Sequence, residues 1–140
     1  MKKVLLFFKF DYTFFCFWTL NFQILIHHGA EMDVKDIRRF TPLMMAACEG
    51  HHKVVNLLVE AKCNISMTAY NRRTALHYAA EQGHVVCCEV LIEAGLGIDH
   101  LDADGCTAAM WAARKGHVGV SLRALFSQSM LLLIALIFFF

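Results

Sequence analysis

Residues Thr74–Gly83 read TALHYAAEQG, and the same skeleton stands thirty-three residues away on either side. Upstream it is TPLMMAACEG at Thr41–Gly50, and downstream it is TAAMWAARKG at Thr107–Gly116. A histidine follows each copy, as His51, His84 and His117. The Thr, the Ala-Ala pair and the Gly-His pair hold their spacing with no insertion or deletion. A fixed period of this length is the signature of a repeat architecture, where each unit hides its apolar face only by stacking on the next.

Each copy predicts the same local structure. Thr41, Thr74 and Thr107 are helix N-caps, because a hydroxyl can take up a free backbone N–H of the first turn. Pro42, the only proline, follows its cap at a position where the missing N–H loses nothing. The short helix that follows carries Leu43, Ala46 and Ala47, and one unit later Leu76, Ala79 and Ala80. Small Ala pairs let neighbouring helices come close. Gly50, Gly83 and Gly116 end this helix, where a left-handed residue is wanted. A second helix is predicted from His52 (HKVVNLLVEA) and again from Val85 (VVCCEVLIEA). Its apolar face is Val54, Val55, Leu57 and Leu58, matched by Cys87, Cys88, Val90 and Leu91. Gly29, Lys62 and Gly95 hold the next turn, and the links carry Asp36, Ala69 and Asp102, then Arg39, Arg72 and Gly105. Asp104-Gly105 is a strong turn signal. The expected fold class is all-α.

Composition bounds the function. Apolar residues make up 58% of the 140-residue chain, and the excess sits in the first 26 and last 11 positions. Net charge is +1, which offers no basic stripe for the phosphates of a nucleic acid. The opening MKKVLLFF resembles a secretory signal, but Lys9 and Asp11 interrupt it and no small-x-small site closes it. Tyr12–Ile26 is uncharged but holds fifteen residues, short of the roughly 20 that a spanning helix needs. Three readings stand: an aromatic-rich cap on the first unit, a membrane anchor, or translated non-coding sequence beside a genuine exon. The chain ends in MLLLIALIFFF. As a helix that run spans ~16 Å, about half the ~30 Å hydrocarbon core. A start at Val118 supplies the length, but it takes residues from the third unit and puts Arg123 in or near the membrane. A packing or aggregation-prone tail, membrane association and a partner-covered helix all stay open.

The chemistry-bearing residues fall to structural roles. The three periodic histidines recur with the fold, one per unit, and are expected to hydrogen-bond between loops of adjacent units. His27–His28 and His51–His52 are adjacent pairs, whose side chains diverge on a helix. Cys16, Cys48, Cys63, Cys87, Cys88 and Cys106 contain no C-x-x-C. Asp99, Asp102 and Asp104 lack the spacing and closing Glu of a Ca²⁺ loop, so turn chemistry is expected. No nucleophile–base pattern, phosphate loop or paired-carboxylate motif is present. No catalytic residue, metal or cofactor is assigned. Cys87 and Cys88 replace a Val-Val pair on a buried face and act as small apolar groups. They imply a reducing compartment, cytoplasmic or nuclear.

With these residues the sequence resembles the ankyrin repeat family. The middle unit matches through Thr74, Leu76, His77, Ala79, Ala80, Gly83 and His84, and the first through Thr41, Pro42, Leu43, Ala46, Ala47, Gly50 and His51. The third matches through Asp102, Gly105, Thr107, Ala112, Ala113, Gly116 and His117, and ILIHHGAEMD (Ile24–Asp33) resembles the end of an earlier unit. The resemblance implies a solenoid of stacked antiparallel helix pairs with hairpin fingers on one side, here with atypical hydrophobic ends. The expected division is a hydrophobic segment 1–21, a partial repeat 22–35, repeats 36–68 and 69–101, an incomplete repeat 102–126 and a tail 127–140. Departures are specific. Met44 and Met110 replace the usual His, so only Thr74 and His77 keep the Thr-x-x-His pair. Arg39 and Arg72 replace a finger glycine, which predicts less regular fingers. The third unit loses the pattern after Val120.

The resemblance also implies a non-catalytic protein-binding role, as scaffold or adaptor, alone or as a piece of a larger array. The alternative is a membrane-anchored adaptor held by a hydrophobic terminus. Contacts are expected at the finger tips and the outward residues of each first helix. The finger positions are Ile37, Arg38 and Phe40, then Tyr70, Asn71 and Arg73, then Ala103, Asp104 and Cys106. The helix positions are Cys48 and Glu49, Glu81 and Gln82, Arg114 and Lys115. Met45, Tyr78 and Trp111 share one register position beside them, where surface contact and packing between helices are both open. Tyr, Trp and Arg are the residues that interface hot spots favour. An acidic or amphipathic peptide segment is the partner class these residues suggest.

Overall fold

In the computed structural model of the protein, residues 23, 24 and 26–120 are described. Five complete helices follow in chain order: α1 Pro42–Cys48, α2 His52–Glu60, α3 Ala75–Gln82, α4 Val85–Glu93 and α5 Ala108–Lys115. Residues 118–120 begin a further helical stretch, and there is no strand among the described residues. The hydrophobic segment 1–21, residues 121–126 of the incomplete unit and the tail 127–140 lie outside the described residues. No helix among the described residues is long and apolar enough to cross a membrane.

The Thr residues start the inner helices. Thr41 Oγ1 accepts from Met44 N–H at 3.2 Å, and Thr107 Oγ1 accepts from Met110 N–H at 3.3 Å. Thr74 and His77 make the reciprocal version: Thr74 N–H donates to His77 Nδ1 at 3.3 Å, and the hydroxyl lies 3.0 Å from the same nitrogen. His77 Nε2 faces the Cys106 carbonyl at 3.2 Å. Nε2 therefore carries the proton and Nδ1 accepts, so one ring joins its own cap to the next unit's finger.

At the other end, the chain closes with the same pair of bonds in each unit. His51 N–H returns to Ala46 O, His84 N–H to Ala79 O and His117 N–H to Ala112 O, at 2.8, 2.9 and 2.8 Å. This closure satisfies helix carbonyls that would otherwise lack partners. It places Gly50 and Gly83 at φ +79° and +80°. There a second demand falls on them, because the next unit's histidine ring lies against each. A Cβ at Gly50 would stand 2.6 Å from the His84 ring, and one at Gly83 2.6 Å from His117. The Gly-His signature is thus one device, with the glycine of one unit receiving the histidine of the next.

Helices α1, α3 and α5 stack side by side as an inner layer, with α3 touching both neighbours. Helices α2 and α4 stack as the outer layer, each packed on the inner helix of its own unit. Close approach of the inner layer follows from alanine: Ala46, Ala47, Ala75, Ala79, Ala80 and Ala112 are buried. Leu58, Leu76 and Leu91 are fully buried between the layers, each worth ~1.5–3 kcal/mol relative to exposure. Cys87 and Cys88 are buried on the α4 face. Burial pushes their thiols up to about 11 and about 12, so both are protonated and pack as apolar groups. Leu57 and Val90, expected on the same face, are half-buried.

The expectation of irregular fingers is corrected by the backbone. Asp36 N–H bonds Phe40 O, Ala69 N–H bonds Arg73 O, and Asp102 N–H bonds Cys106 O, at 3.0, 3.1 and 3.0 Å. Arg39, Arg72 and Gly105 donate back within the same turns. Arg39 and Arg72 reach this geometry at φ +60° and +59°, in the left-handed region that Gly105 adopts at +74°. The turn is kept and the arginines bear strain.

Candidate functional site

The three fingers are built from different side chains. In the first, Asp36 Oδ1 accepts from Arg38 and Phe40 N–H at 2.8 and 2.7 Å. In the third, Asp102 Oδ1 accepts from Asp104 and Cys106 N–H at 3.0 and 2.9 Å. The second has Ala69 at that position and uses Asn71 instead, whose Oδ1 accepts from Arg73 N–H at 3.2 Å and Tyr78 O–H at 3.1 Å.

Fingers two and three are joined to each other. Ala103 N–H donates to Asn71 O at 2.9 Å, and His100 Nε2 donates to Arg72 O at 3.0 Å. Beneath them lies a charged cluster. Arg73 donates from Nε to Asp102 Oδ2 at 3.2 Å and from Nη1 to Glu81 Oε2 at 2.9 Å. Its guanidinium stacks 3.8 Å over the Trp111 ring, and Trp111 Nε1 donates to Asp102 Oδ2 at 2.8 Å. Lys115 Nζ approaches Glu81 at 3.9 Å. Desolvation pushes the Asp102 carboxyl up. The bonds from Cys106 N–H, Trp111, Arg73 and Asp104 N–H together outweigh it and hold the group at about 2. The inner helices are joined as well: His84 Nε2 donates to Cys48 O and His117 Nε2 to Glu81 O, both at 3.1 Å. This is the inter-unit role expected of the periodic histidines, seen at His84 and His117.

The residues expected to meet a partner therefore divide. Tyr78 is 7% exposed, with its ring 4.6 Å from Phe40 and its hydroxyl on Asn71. That corrects the open choice at this position toward packing: the neighbouring unit's finger closes over it. Arg73, Glu81 and Trp111 are half-buried, with Arg73 paired to Glu81 and stacked on Trp111. Phe40 and Met45 are half-buried too. Arg38, Glu49, Tyr70, Asn71, Gln82, Asp104, Arg114 and Lys115 are exposed. Ile37 and Tyr70 are the most open large apolar side chains of the fingers, at 92% and 71%. Arg39 lies 5.5 Å over the Tyr70 ring, and Arg38 lies 5.1 Å over Phe40 while pairing with Asp36. Arg39 and Arg72 were missed as surface cations. Their sequence signal was the lost glycine, and the cation that replaced it was equally visible there.

Helix pairs with Thr-capped inner helices, closed by matching turns and linked by hairpin fingers, define a helical repeat solenoid. A family model described as ankyrin repeats in three copies matches residues 19–101 and again 61–131. The chain belongs to the ankyrin repeat family. Ankyrin repeats are generally protein–protein interaction modules, and the family is typically a non-enzymatic scaffold.

Proposed function

We propose that this chain is a non-catalytic adaptor module that holds a protein segment against its finger tips and the adjoining ends of its inner helices. The observation that carries the reading is the pair Ile37 and Tyr70, a large aliphatic and an aromatic side chain open to solvent on neighbouring fingers. Exposed Glu49, Gln82, Arg114 and Lys115 extend the surface along the inner layer. Met45, Arg73, Tyr78, Glu81 and Trp111 support it from beneath. The protonated buried thiols favour a reducing compartment, cytoplasm or nucleus, as the place of action. A photo-crosslinking amino acid at Tyr70 should capture discrete protein partners in cells, whereas the same group at Asn56, exposed on outer helix α2, should not. Equal capture from both positions would refute the surface.

A second reading keeps this module and anchors it to a membrane by an apolar end. Its support is the uncharged run MLLLIALIFFF at Met130–Phe140. Alkaline carbonate extraction decides it, because a chain that washes off membranes is not integral.

A further inference from the structure

We infer that the partner segment is acidic, carries an apolar side chain, and seats across the junction of fingers one and two. This rests on the finger-face reading above and adds the chemistry and the place.

The two finger–finger junctions are unequal. Fingers two and three are bonded through Ala103 N–H to Asn71 O, His100 to Arg72 O, and Arg73 to Asp102. One unit earlier the equivalent atoms are Tyr70 N–H and Arg38 O, and neither has a hydrogen-bond partner among the described residues. Met67 stands in the place of His100 and has no proton to donate. Only the stacking of Arg39 on Tyr70 spans this first junction at the tips. It therefore offers a backbone donor and a backbone acceptor that the second junction has already paired, and an extended chain can use both.

Charge is also unequal. Finger one reads DIRRF at Asp36–Phe40 and finger two AYNRR at Ala69–Arg73, while finger three reads DADGC at Asp102–Cys106. Arg38, Arg39 and Arg72 are exposed on fingers one and two. Asp36, their one carboxylate, already accepts from Arg38 N–H, Phe40 N–H and Arg38 Nε. Finger three has no cation and exposes Asp104. A carboxylate-bearing segment is thus drawn to fingers one and two and repelled from three. Arginine suits that task, because its planar fork meets a carboxylate with two parallel bonds. Ile37 and Tyr70, beside these guanidiniums, favour a protein over a bare polyanion: phosphates alone would leave both uncovered, and the aliphatic Ile37 offers no ring for a base to stack on. The strained φ of Arg39 and Arg72 agrees, since glycine serves the same turn at Gly105 without strain.

The test is fluorescence anisotropy with the whole chain and a labelled Glu/Ser peptide carrying one central Phe. Controls are the Lys-for-Glu version, the version lacking Phe, and a single-stranded DNA oligomer. Two protein variants are used. Arg39→Gly with Arg72→Gly removes two charges and preserves the turn, and Ile37→Ser with Tyr70→Ser removes the apolar pair. The expected result is binding of the acidic Phe peptide that weakens with salt and falls by at least about tenfold in each variant. The Gly variant should meanwhile melt no lower than wild type. Three results overturn the inference: no binding of the acidic peptide, binding that survives the arginine variant, or equal binding of the DNA or the Lys version. Crosslinking at Tyr70 is read separately, so a failed peptide with specific Tyr70 capture condemns the chemistry and spares the surface.

Discussion

Removing the Asp102 carboxylate should cost far more than removing its counterpart Asp36. Both accept the same two finger N–H groups, so the finger itself does not distinguish them. The difference lies in the second oxygen. Asp36 Oδ2 meets only exposed Arg38 at 3.3 Å, an interaction worth ~0–1 kcal/mol. Asp102 is 2% exposed and its Oδ2 takes both Arg73 and the Trp111 indole. Bonds to a charged group are worth ~1.5–3 kcal/mol each when one partner is deleted. Arg73 retains Glu81 at 2.9 Å, and the finger N–H groups can turn to water, so the gross loss must be discounted. Asp102→Ala should therefore destabilise by ~3–4 kcal/mol and Asp36→Ala by ~1 kcal/mol. Urea unfolding followed by circular dichroism gives both values, and the Arg73→Ala/Asp102→Ala double-mutant cycle gives the coupling. Because a repeat array loses stability at the interface that is damaged, hydrogen exchange should speed first in Ala108–Lys115 and leave Pro42–Cys48 near wild type. A loss below about 1 kcal/mol for Asp102→Ala, or exchange that rises equally in α1 and α5, would refute the cluster's role.

Protonation should act on two groups in different windows. Asp102 is held below its ordinary 3.8 at about 2, so its contribution is complete above pH 4 and disappears as pH falls through 2. The stability difference between wild type and Asp102→Asn should shrink over that range in acid titrations. Burial, then the charges of His84 and His52, hold His51 down from 6.5 to about 4. A depressed histidine stabilises above its unfolded value, so stability should decline from pH 6.5 towards 4, and His51→Gln should flatten that slope. Gly83→Ala forces a side chain into φ +80° and against the His117 ring. It should cost about 2 kcal/mol or more and lower the thermal midpoint. Arg39→Gly and Arg72→Gly relieve left-handed strain, offset by added freedom in the unfolded chain. Each should stabilise by ~0.5–1 kcal/mol in the same assay.

Much of the fold is legible without coordinates because its rules are local. A Thr that caps, an Ala pair and a closing Gly act over one short helix, and their repetition states the architecture. The inter-unit task of His84 and His117 is legible for a related reason: a residue that recurs with the fold serves the fold. The candidate surface was less readable. Arg39 and Arg72 looked like turn defects, although nothing local says whether the chain bends or the arginine takes the strain. Ala69 gave no sign that Asn71 would supply the missing acceptor of its finger.

What the sequence determined by itself is the unit: its period, its helix ends and the face each helix buries. What only the tertiary structure decided is the setting of each register position. Met45, Tyr78 and Trp111 occupy one place in three units, yet Tyr78 is buried on Phe40 while Trp111 carries a guanidinium on its face. Ala47 and Ala80 are fully covered, and Ala113, their counterpart, is exposed. Met44 is 1% exposed and Met110 is 55% exposed. The physical reason is the same in each pair. Burial belongs to the neighbour that arrives on the other side, thirty-three residues distant, and a repeat's own residues do not specify what the next unit sets against them.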